Sequence, residues 1–444
     1  MSTHVHDVLG IGVGPFNLGL AALADPIDNL DAVFWDARPH FDWHPGLMLD
    51  DATLQVPFLA DLVTMADPTS RWSFLNWLKA TDRLYPYYLR EHFHPLRREY
   101  ADYCRWVADR LPSVWFGRHV VAVEHDGEAY VARAADGASV RARRLVIGVG
   151  STPRIPACLR GGDADGGGAV VHTADYLGAR DRLQQARRIT IIGSGQSAAE
   201  VYHDLLAASP DHDYELVWIT RSPRFFPLEY TKLTLELTSP EYTDHFHALP
   251  EETRERLGRE QRGLYKGISG ELVDAISDLH HRLRAHGHGP RTTLVTHSEL
   301  LDSHRTDGGR RLEFVHRELG ESFSFETDAV VCGTGYGTEV PAFLAPIRDR
   351  LLLDERGRYR VTRDYAVDLT GEEIFVQNAE EHTHGLSAPD LGMGAYRNSV
   401  ILRGLLGREV YPVERRVAVQ TFGVPHHLAV PVSASSTAVG TGAA

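Results

Sequence analysis

Cysteine is scarce in this chain. Three residues in 444, Cys104, Cys158 and Cys332, lie far apart and form no C-x-x-C. That excludes a disulfide framework and a redox-active dithiol. Long apolar runs are missing too, and none approaches the roughly 18 residues that a membrane-crossing helix needs. Basic charge is in short supply, with 46 Lys and Arg against 60 Asp and Glu for a formal charge of −14. With no basic stripe to offset it, this balance argues against nucleic acid and anionic membrane as partners. The 24 histidines include no HEXXH and none of the usual ligand spacings. His280-His281 and His382-x-His384 read as a solvated helix face and a loop, and no metal is expected. The N-terminus, MSTHVHDVLGIGVGPF, carries no basic n-region and no cleavage site, which points to the cytoplasm. What remains is an ordinary globular composition, 43% hydrophobic and 24% charged, long enough for two or three domains.

The positive signals begin at HDVLGIGVGPFNLGLAAL, residues 6–23. Val8 to Ile11 read as a buried strand and Leu18 to Leu23 as helix. Between them, Gly10-x-Gly12-x-Gly14-Pro15 makes a turn whose backbone N–H groups can meet a pyrophosphate at a helix N-terminus. It departs from G-x-G-x-x-G, because Pro15 takes the third glycine's neighbourhood. A second strand, AVFWD, ends in Asp36, where an acid can hydrogen-bond a ribose hydroxyl. The pattern recurs at RRITIIGSGQSAAEVYHDLL, where Gly193-Ser194-Gly195-Gln196-Ser197-Ala198 is a cleaner G-x-G-x-x-A. The strand after it, YELVWITR, ends in Arg221 rather than an acid, with Arg224 beyond. Basic residues there suit a ribose 2′-phosphate, so the second turn is read as an NADP site. Two further strand-to-glycine turns, LVIGVGSTPRIP and DAVVCGTGYGTEVP, suit a doubly wound architecture.

The expected fold is therefore α/β: two Rossmann-like dinucleotide-binding domains, the second inserted in the first, with a small, mostly helical substrate segment. Two dinucleotide domains in this nested order are what a flavoprotein using NADPH needs, with FAD in the first and NADPH in the second; the boundaries are 1–160 for the first part of the FAD-binding domain and 161–225 for the first part of the NADPH-binding domain. Residues 226–290 form the helical segment, 291–325 the return of the second domain and 326–430 the C-terminal part of the first. The tail 431–444 is small, polar and expected to be disordered.

Several stretches together carry a resemblance: GIGVGPFNLGLA, FDWHPGLMLDDATLQVPFLADLVTMADPTSRWSFLNWL, GSGQSAAE, GTGY and THGLSAPDLGMGAYR. Over residues 5–410 the chain resembles the flavin-dependent N-hydroxylating monooxygenases of siderophore pathways, the lysine and ornithine N-hydroxylases. The resemblance implies FAD and NADPH as cofactors and O2 as co-substrate. Carried over by position, it implies FAD contacts at Gly10, Gly12, Gly14, Pro15, Asn17, Asp36, His44, Gln55, Val121, Thr334, Gly335, Pro389, Asp390 and Leu391. For NADP it implies Gly193, Ser194, Gly195, Gln196, Ser197 and Arg221. The substrate pocket would take Gln55, Ala60, Leu235, Glu236, Gly267 and Gly392. Family members are dimers or tetramers, so a homo-oligomer is expected. No acid–base residue is assigned, because the flavin carries the oxygen: an unprotonated amine attacks the distal oxygen of a flavin hydroperoxide sheltered from water. His44 and His384 are left open between flavin contact and structural histidine.

One departure from the family bears on substrate. Amino-acid hydroxylases read FLKDL, with the lysine on the substrate's α-carboxylate; here the block reads Phe58-Leu59-Ala60-Asp61-Leu62. A buried carboxylate without a cationic partner carries a penalty of several kcal/mol. Loss of the lysine favours a second ammonium instead, which narrows the resemblance to the diamine (cadaverine) N-hydroxylases of desferrioxamine-type pathways, with cadaverine or putrescine as substrate. The alternative is a lysine or ornithine hydroxylase in which Lys79, Lys232 or Lys266 replaces the missing lysine. From other classes, an electron-transfer reductase leaves the FLxDL block without a role, and a redox-sensing nucleotide-binding module is opposed only by the intact turns.

Overall fold

The apolar run at the N-terminus forms the strand Val5–Ile11, the centre of a seven-stranded sheet in the computed structural model, which describes residues 4–160, 168–425 and 428. The expected disordered tail lies outside these residues. Val5–Ile11 pairs in parallel with Ala32–Trp35 on one side and Ser139–Ile147 on the other. Val114–Trp115 extends the sheet beyond Ala32–Trp35. On the other side, Tyr130–Ala134 and Val120–His125 continue it as an antiparallel meander. Ile374–Val376 then returns from late in the chain to pair with the end of Ser139–Ile147. The first unit is thus closed by C-terminal chain, as its nested order requires.

The second unit is a five-stranded parallel sheet in the spatial order Thr292–Val295, Glu215–Ile219, Arg188–Ile192, Ala329–Cys332, Ala169–His172. A three-stranded antiparallel sheet, Ser298–Thr306, Gly309–His316 and Glu321–Thr327, is attached to it. Chain passes between the units twice, and the two passages pair with each other as Thr152–Pro153 and Tyr336–Gly337. Four helices lie between Lys232 and Ala285: Lys232–Leu235, Pro240–Ala248, Glu251–Glu260 and Gly270–Ala285.

Two boundaries differ from the sequence expectation. Residues 326–430 were assigned to the first domain, yet Ala329–Cys332 sits between Arg188–Ile192 and Ala169–His172 in the second sheet. Its four residues are all buried, as a strand with neighbours on both edges and cover on both faces must be. The glycine turn that follows it, GTGY, drew it to the wrong unit. The helix Gly270–Ala285, assigned to the substrate segment, packs instead on Gln196–Ala208 and leads into Thr292–Val295. It is the crossover between two parallel strands of the second sheet. Of the two histidine pairs, His281 is exposed on its helix face as expected, but its neighbour and the second pair are partly or fully covered. Nε2 of His280 meets the Tyr202 hydroxyl at 2.8 Å, and His384 is 1% exposed, its Nε2–H donating to the Arg363 carbonyl at 3.2 Å. His384 is a structural histidine.

The return segment is fastened by an ion pair at the bottom of the first unit. Arg397, in the helix Gly394–Leu406, meets Glu380 at 2.9 Å, and the two side chains are 1% and 0% exposed. The guanidinium donates to the Ala388 carbonyl at 2.5 Å and lies 4.5 Å from the centre of the Phe16 ring, beside the first glycine turn. Removing one partner strands the other charge in the core. Arg397→Met should therefore cost about 3–5 kcal/mol, while Arg397→Met with Glu380→Leu should recover much of that loss; thermal and urea unfolding of both variants measure it.

Candidate functional site

Two helix N-termini are built alike. Gly12 has φ +88°, and a Cβ on it would stand 2.5 Å from the Gly148 carbonyl oxygen. The turn therefore crosses the neighbouring strand's exit at backbone distance, which only glycine permits. Gly14 is the N-cap of the helix Pro15–Ala24, with no side chain capping it and open space where its Cβ would be. In the second unit, Gly193 has φ +126° and a Cβ would meet the Gly333 carbonyl at 2.1 Å. Gly195 is the uncapped N-cap of Gln196–Ala208. Each helix thus offers unpartnered first-turn N–H groups to an anion, and both turns fit the pyrophosphate of a dinucleotide. Ser194 Oγ lies 3.1 Å from Ser222 Oγ, which ties the second turn to the segment carrying Arg221. Arg221 is 60% exposed and only loosely held, 4.0 Å from Glu299, so its guanidinium is available to a 2′-phosphate.

Around the first turn, two residues are spent on the protein itself. Asp36 is buried and already accepts from the Val13 N–H at 2.7 Å, the Arg38 N–H at 2.8 Å and the Arg38 guanidinium at 2.9 Å. Desolvation opposes its charge, but Arg38 and the Val13 N–H outweigh that and hold the carboxyl below the usual range. It follows the strand Ala32–Trp35 as expected, and Arg38 pairs with it. Asn17 is fully buried: its amide donates to the Gly12 carbonyl at 2.8 Å and its Oδ1 accepts from Gln377 at 2.7 Å. It braces the turn rather than lining the groove, because the helix directs it back into the sheet. Val121 is exposed on the meander, just after the loop in which Arg118 N–H donates to the Asp36 carbonyl.

The units meet beside these turns. His44 takes the left-handed conformation, φ 50°; the residue is exposed at the surface while its ring lies against Trp43 and Tyr336. Burial, then the Arg97 and Arg38 charges, lower its imidazole from the usual 6.5 to about 4, so it is neutral at physiological pH. The next residues dock on the second unit: Leu47 packs in that unit's core, and a Cβ on Gly46 would collide with the Ala174 carbonyl. Gln55 Nε2 donates to Gln196 Oε1 at 3.3 Å, and the same oxygen takes the Ser269 N–H at 2.9 Å. The structure thus joins a flavin candidate to a nucleotide candidate. Thr334 and Gly335 lie where the two passages pair. The Thr334 hydroxyl donates to the Arg154 carbonyl, and the Gly335 carbonyl accepts from Arg154 N–H at 2.9 Å and His172 Nε2–H at 3.0 Å.

The FLADL block is folded by its aspartate. Asp61 is 4% exposed and accepts from the N–H groups of Val63, Thr64 and Phe74 at 2.9, 2.6 and 2.7 Å and from the Thr64 hydroxyl at 2.6 Å. This ties residues 61–64 to the start of the next helix, Phe74–Ala80. The block, the turn and the PDL segment converge, since Pro15, Phe16, Asp61, Leu62 and Leu391 line one small internal hole. Ala60, buried, is 3.8 Å from where a Gly392 Cβ would stand; Asp390 Oδ1 is 2.9 Å from the same point. Asp390 Oδ1 also takes the Met393 N–H at 3.2 Å. Burial raises the Asp390 carboxyl above the usual range, against the pull of the Gly392 and Met393 N–H groups and Arg397.

Three expected substrate residues are placed otherwise. Gly267 has no room for a side chain, a Cβ meeting the Leu228 N–H nitrogen at 2.6 Å, because residues 227 and 268 bridge there. Glu236 accepts from the backbone and side-chain amides of Gln420, both at 3.0 Å, and so holds the C-terminal strap. Leu235 is half-buried at the end of Lys232–Leu235. Pattern reading missed Arg97 and Glu200, which pair across the units at 2.6 and 3.0 Å. They lie 103 residues apart in unrelated helices, and no local signal connects them.

Two dinucleotide turns, one in each unit, fit a flavoprotein that uses a pyridine nucleotide, and the three cysteines are free. A model of the family described as L-lysine 6-monooxygenase/L-ornithine 5-monooxygenase matches residues 4–338. The alcaligin biosynthesis enzyme of Bordetella pertussis is 48% identical over 434 residues, spanning 96% of this chain and 93% of its own. Putrescine N-hydroxylase of Shewanella oneidensis is 47% identical over 425 residues, 94% of this chain and 84% of its own. The crystal structure of FAD-bound DfoA, the desferrioxamine-pathway cadaverine monooxygenase of Erwinia amylovora, superimposes with a TM-score of 0.92 at 47% identity, covering 95% of this chain and 99% of that one. The chain belongs to this family and is a flavin-dependent N-hydroxylating monooxygenase.

Two outcomes follow from the site. Arg221→Ala should raise the KM for NADPH about tenfold or more and leave that for NADH nearly unchanged, one charge-assisted contact being worth roughly 1.5–3 kcal/mol; steady-state kinetics with both nucleotides decides. His44 is neutral when folded but titrates at its ordinary 6.5 when unfolded. Its contribution to stability is therefore complete above pH 6.5 and declines as pH falls towards 4. Thermal melts across that window should show His44→Asn losing less stability than the parent.

Proposed function

We propose that this enzyme hydroxylates one primary amine of an aliphatic diamine, cadaverine or putrescine, for hydroxamate siderophore synthesis, with FAD, NADPH and O2. The observation that carries this reading is the pairing of Ala60 with Asp390. Where the amino-acid hydroxylases keep a lysine for a carboxylate, this pocket has a methyl group and a carboxylate of its own. Lys266, one candidate replacement, is spent on Glu381 at 2.6 Å at the surface. Lys79 ends the helix Phe74–Ala80 on an exposed turn, and Lys232 is exposed as well. The names of the relatives from Shewanella and Erwinia support the same substrate class.

When bound, FAD supplies the reduction of O2 and the delivery of one oxygen atom to nitrogen. The chain's own residues do the placing. The first glycine turn and the N–H groups behind it hold the FAD pyrophosphate; the second, with Ser194 and Arg221, holds NADPH. Asp390 takes the distal ammonium, which offsets the cost of its burial. His44, neutral, adds no positive charge to a site that must admit a dication. The reacting end must arrive as free amine, so the diamine binds with one end charged and the other deprotonated. Association into a homodimer or homotetramer belongs to this reading, supported by the exposed apolar side chains Tyr85, Tyr88, Leu89 and Phe93. So does a cytoplasmic location; among the described residues, no helix is long and apolar enough to cross a membrane.

Diamine should be hydroxylated with a kcat/KM at least about tenfold above L-lysine or L-ornithine, a difference of 1.4 kcal/mol. Asp390→Asn should raise the diamine KM by about tenfold or more, and Ala60→Lys should depress diamine turnover by placing a like charge at the distal ammonium. Hydroxylamine product measured by mass spectrometry is the readout, since uncoupled turnover also consumes NADPH. A wild-type preference for lysine would overturn the reading.

A further inference from the structure

Where the units meet, three potential metal ligands from different units come together. His92 and His94 lie in the loop before the helix Arg97–Ala108 of the first unit, and Glu271 in the first turn of Gly270–Ala285 of the second. Their ligand atoms all lie within 4.8 Å of one another. His92 Nδ1 is 3.2 Å from the His94 carbonyl. A carbonyl only accepts, so Nδ1 carries a proton and Nε2 is the ring nitrogen left to face a ligand, the orientation common among metal-binding histidines. That nitrogen faces Glu271 Oε1 at 3.5 Å. Two ligands on a tetrahedral centre at 2.0–2.1 Å stand about 3.3 Å apart, so this pair is nearly in place. The loop is fixed as well, since the Arg90 guanidinium donates to the same His94 carbonyl at 2.8 Å.

We propose that His92, His94 and Glu271 bind a divalent cation that accepts imidazole and carboxylate together, Zn2+ or Co2+ by class, with water completing the coordination. The ion would fasten the second unit to the first close to the nucleotide turn. Glu271 is two residues from Ser269, whose N–H holds Gln196, and His94 is three residues from Arg97. The sequence reading expects no metal, since HEXXH and the usual ligand spacings are absent; Glu271 joins His92 and His94 only in the fold. A second group, His4, His6 and Asp31, lies within one unit, with both imidazoles already on the Asp31 carboxylate at 2.5 and 2.9 Å. It must be silenced in any test.

The test uses the tag-free, FAD-loaded full chain carrying His4→Ala and His6→Ala, titrated with Zn2+ by calorimetry and with Co2+ by visible absorption. One equivalent should bind, with ligand-field bands for Co2+ and a rise in melting temperature with Zn2+. His92→Ala and Glu271→Gln, added separately, should each weaken binding at least tenfold and abolish that rise. Absence of saturable binding, or binding that survives both substitutions, overturns the proposal. So does an NMR titration in which His92 is protonated at neutral pH and paired with Glu271 while Zn2+ fails to bind.

Discussion

Two nucleotide-binding units, each with its own core, must be held at one relative placement for an electron pair to pass between their ligands. The contact that does this most directly is the ion pair between Arg97 and Glu200. It is bidentate, with side chains 12% and 6% exposed, and Arg97 also donates to the Leu47 carbonyl at 2.8 Å. A buried pair of this kind contributes little net stability, because desolvation cancels much of the attraction. It penalises every misplacement, however, since either charge alone in that environment is costly. Glu200 also takes the Gln196 amide at 3.0 Å, so the pair reaches directly into the nucleotide turn. Gln55 then carries the connection back into the first unit.

The amine end of the site follows a related electrostatic logic with the opposite outcome. Arg97 and Glu200 satisfy each other, and so do Arg397 and Glu380, whereas Asp390 lies beside a methyl group. Its carboxylate has backbone N–H groups for partners and feels Arg397 only at a distance. A carboxylate so placed is suited to an incoming ammonium. Substrate class is in this sense a matter of which charges the protein leaves unpaired.

The family block around Ala60 shows how one residue can be presented by another. Asp61 gathers three backbone N–H groups and a hydroxyl, and in doing so fixes the backbone that carries Ala60 against Gly392. Exchanging the side chain at position 60 need not disturb that scaffold, because the hydrogen bonds belong to its neighbour. Glu236 and Gly267 play supporting parts of the same kind, one anchoring the strap at Gln420 and the other allowing two backbone segments to touch.

The two glycine turns and the exchange of lysine for Ala60 were legible along the chain because each rests on residues within about a dozen positions of one another, and the nested order of the units and the absence of a dithiol because they need only the order and spacing of such local signals. Strand ownership was not. Ala329–Cys332 reads as an apolar run before a glycine turn in either unit, and only its pairing with Arg188–Ile192 and Ala169–His172 decides. Nor does motif position show that the polar groups of Asn17 and Asp36 brace the turn. Arg97 with Glu200, Gln55 with Gln196 and Asp390 beside Ala60 are separated by 103, 141 and 330 residues. No periodicity or spacing encodes such pairs, because side-chain charges meet only after both sheets have packed. The sequence by itself determined which cofactors the chain could hold and that the family's lysine is replaced at Ala60; tertiary structure alone decided where the remaining charges stand and which pairs are satisfied, because charges distant in sequence meet only after both sheets have packed.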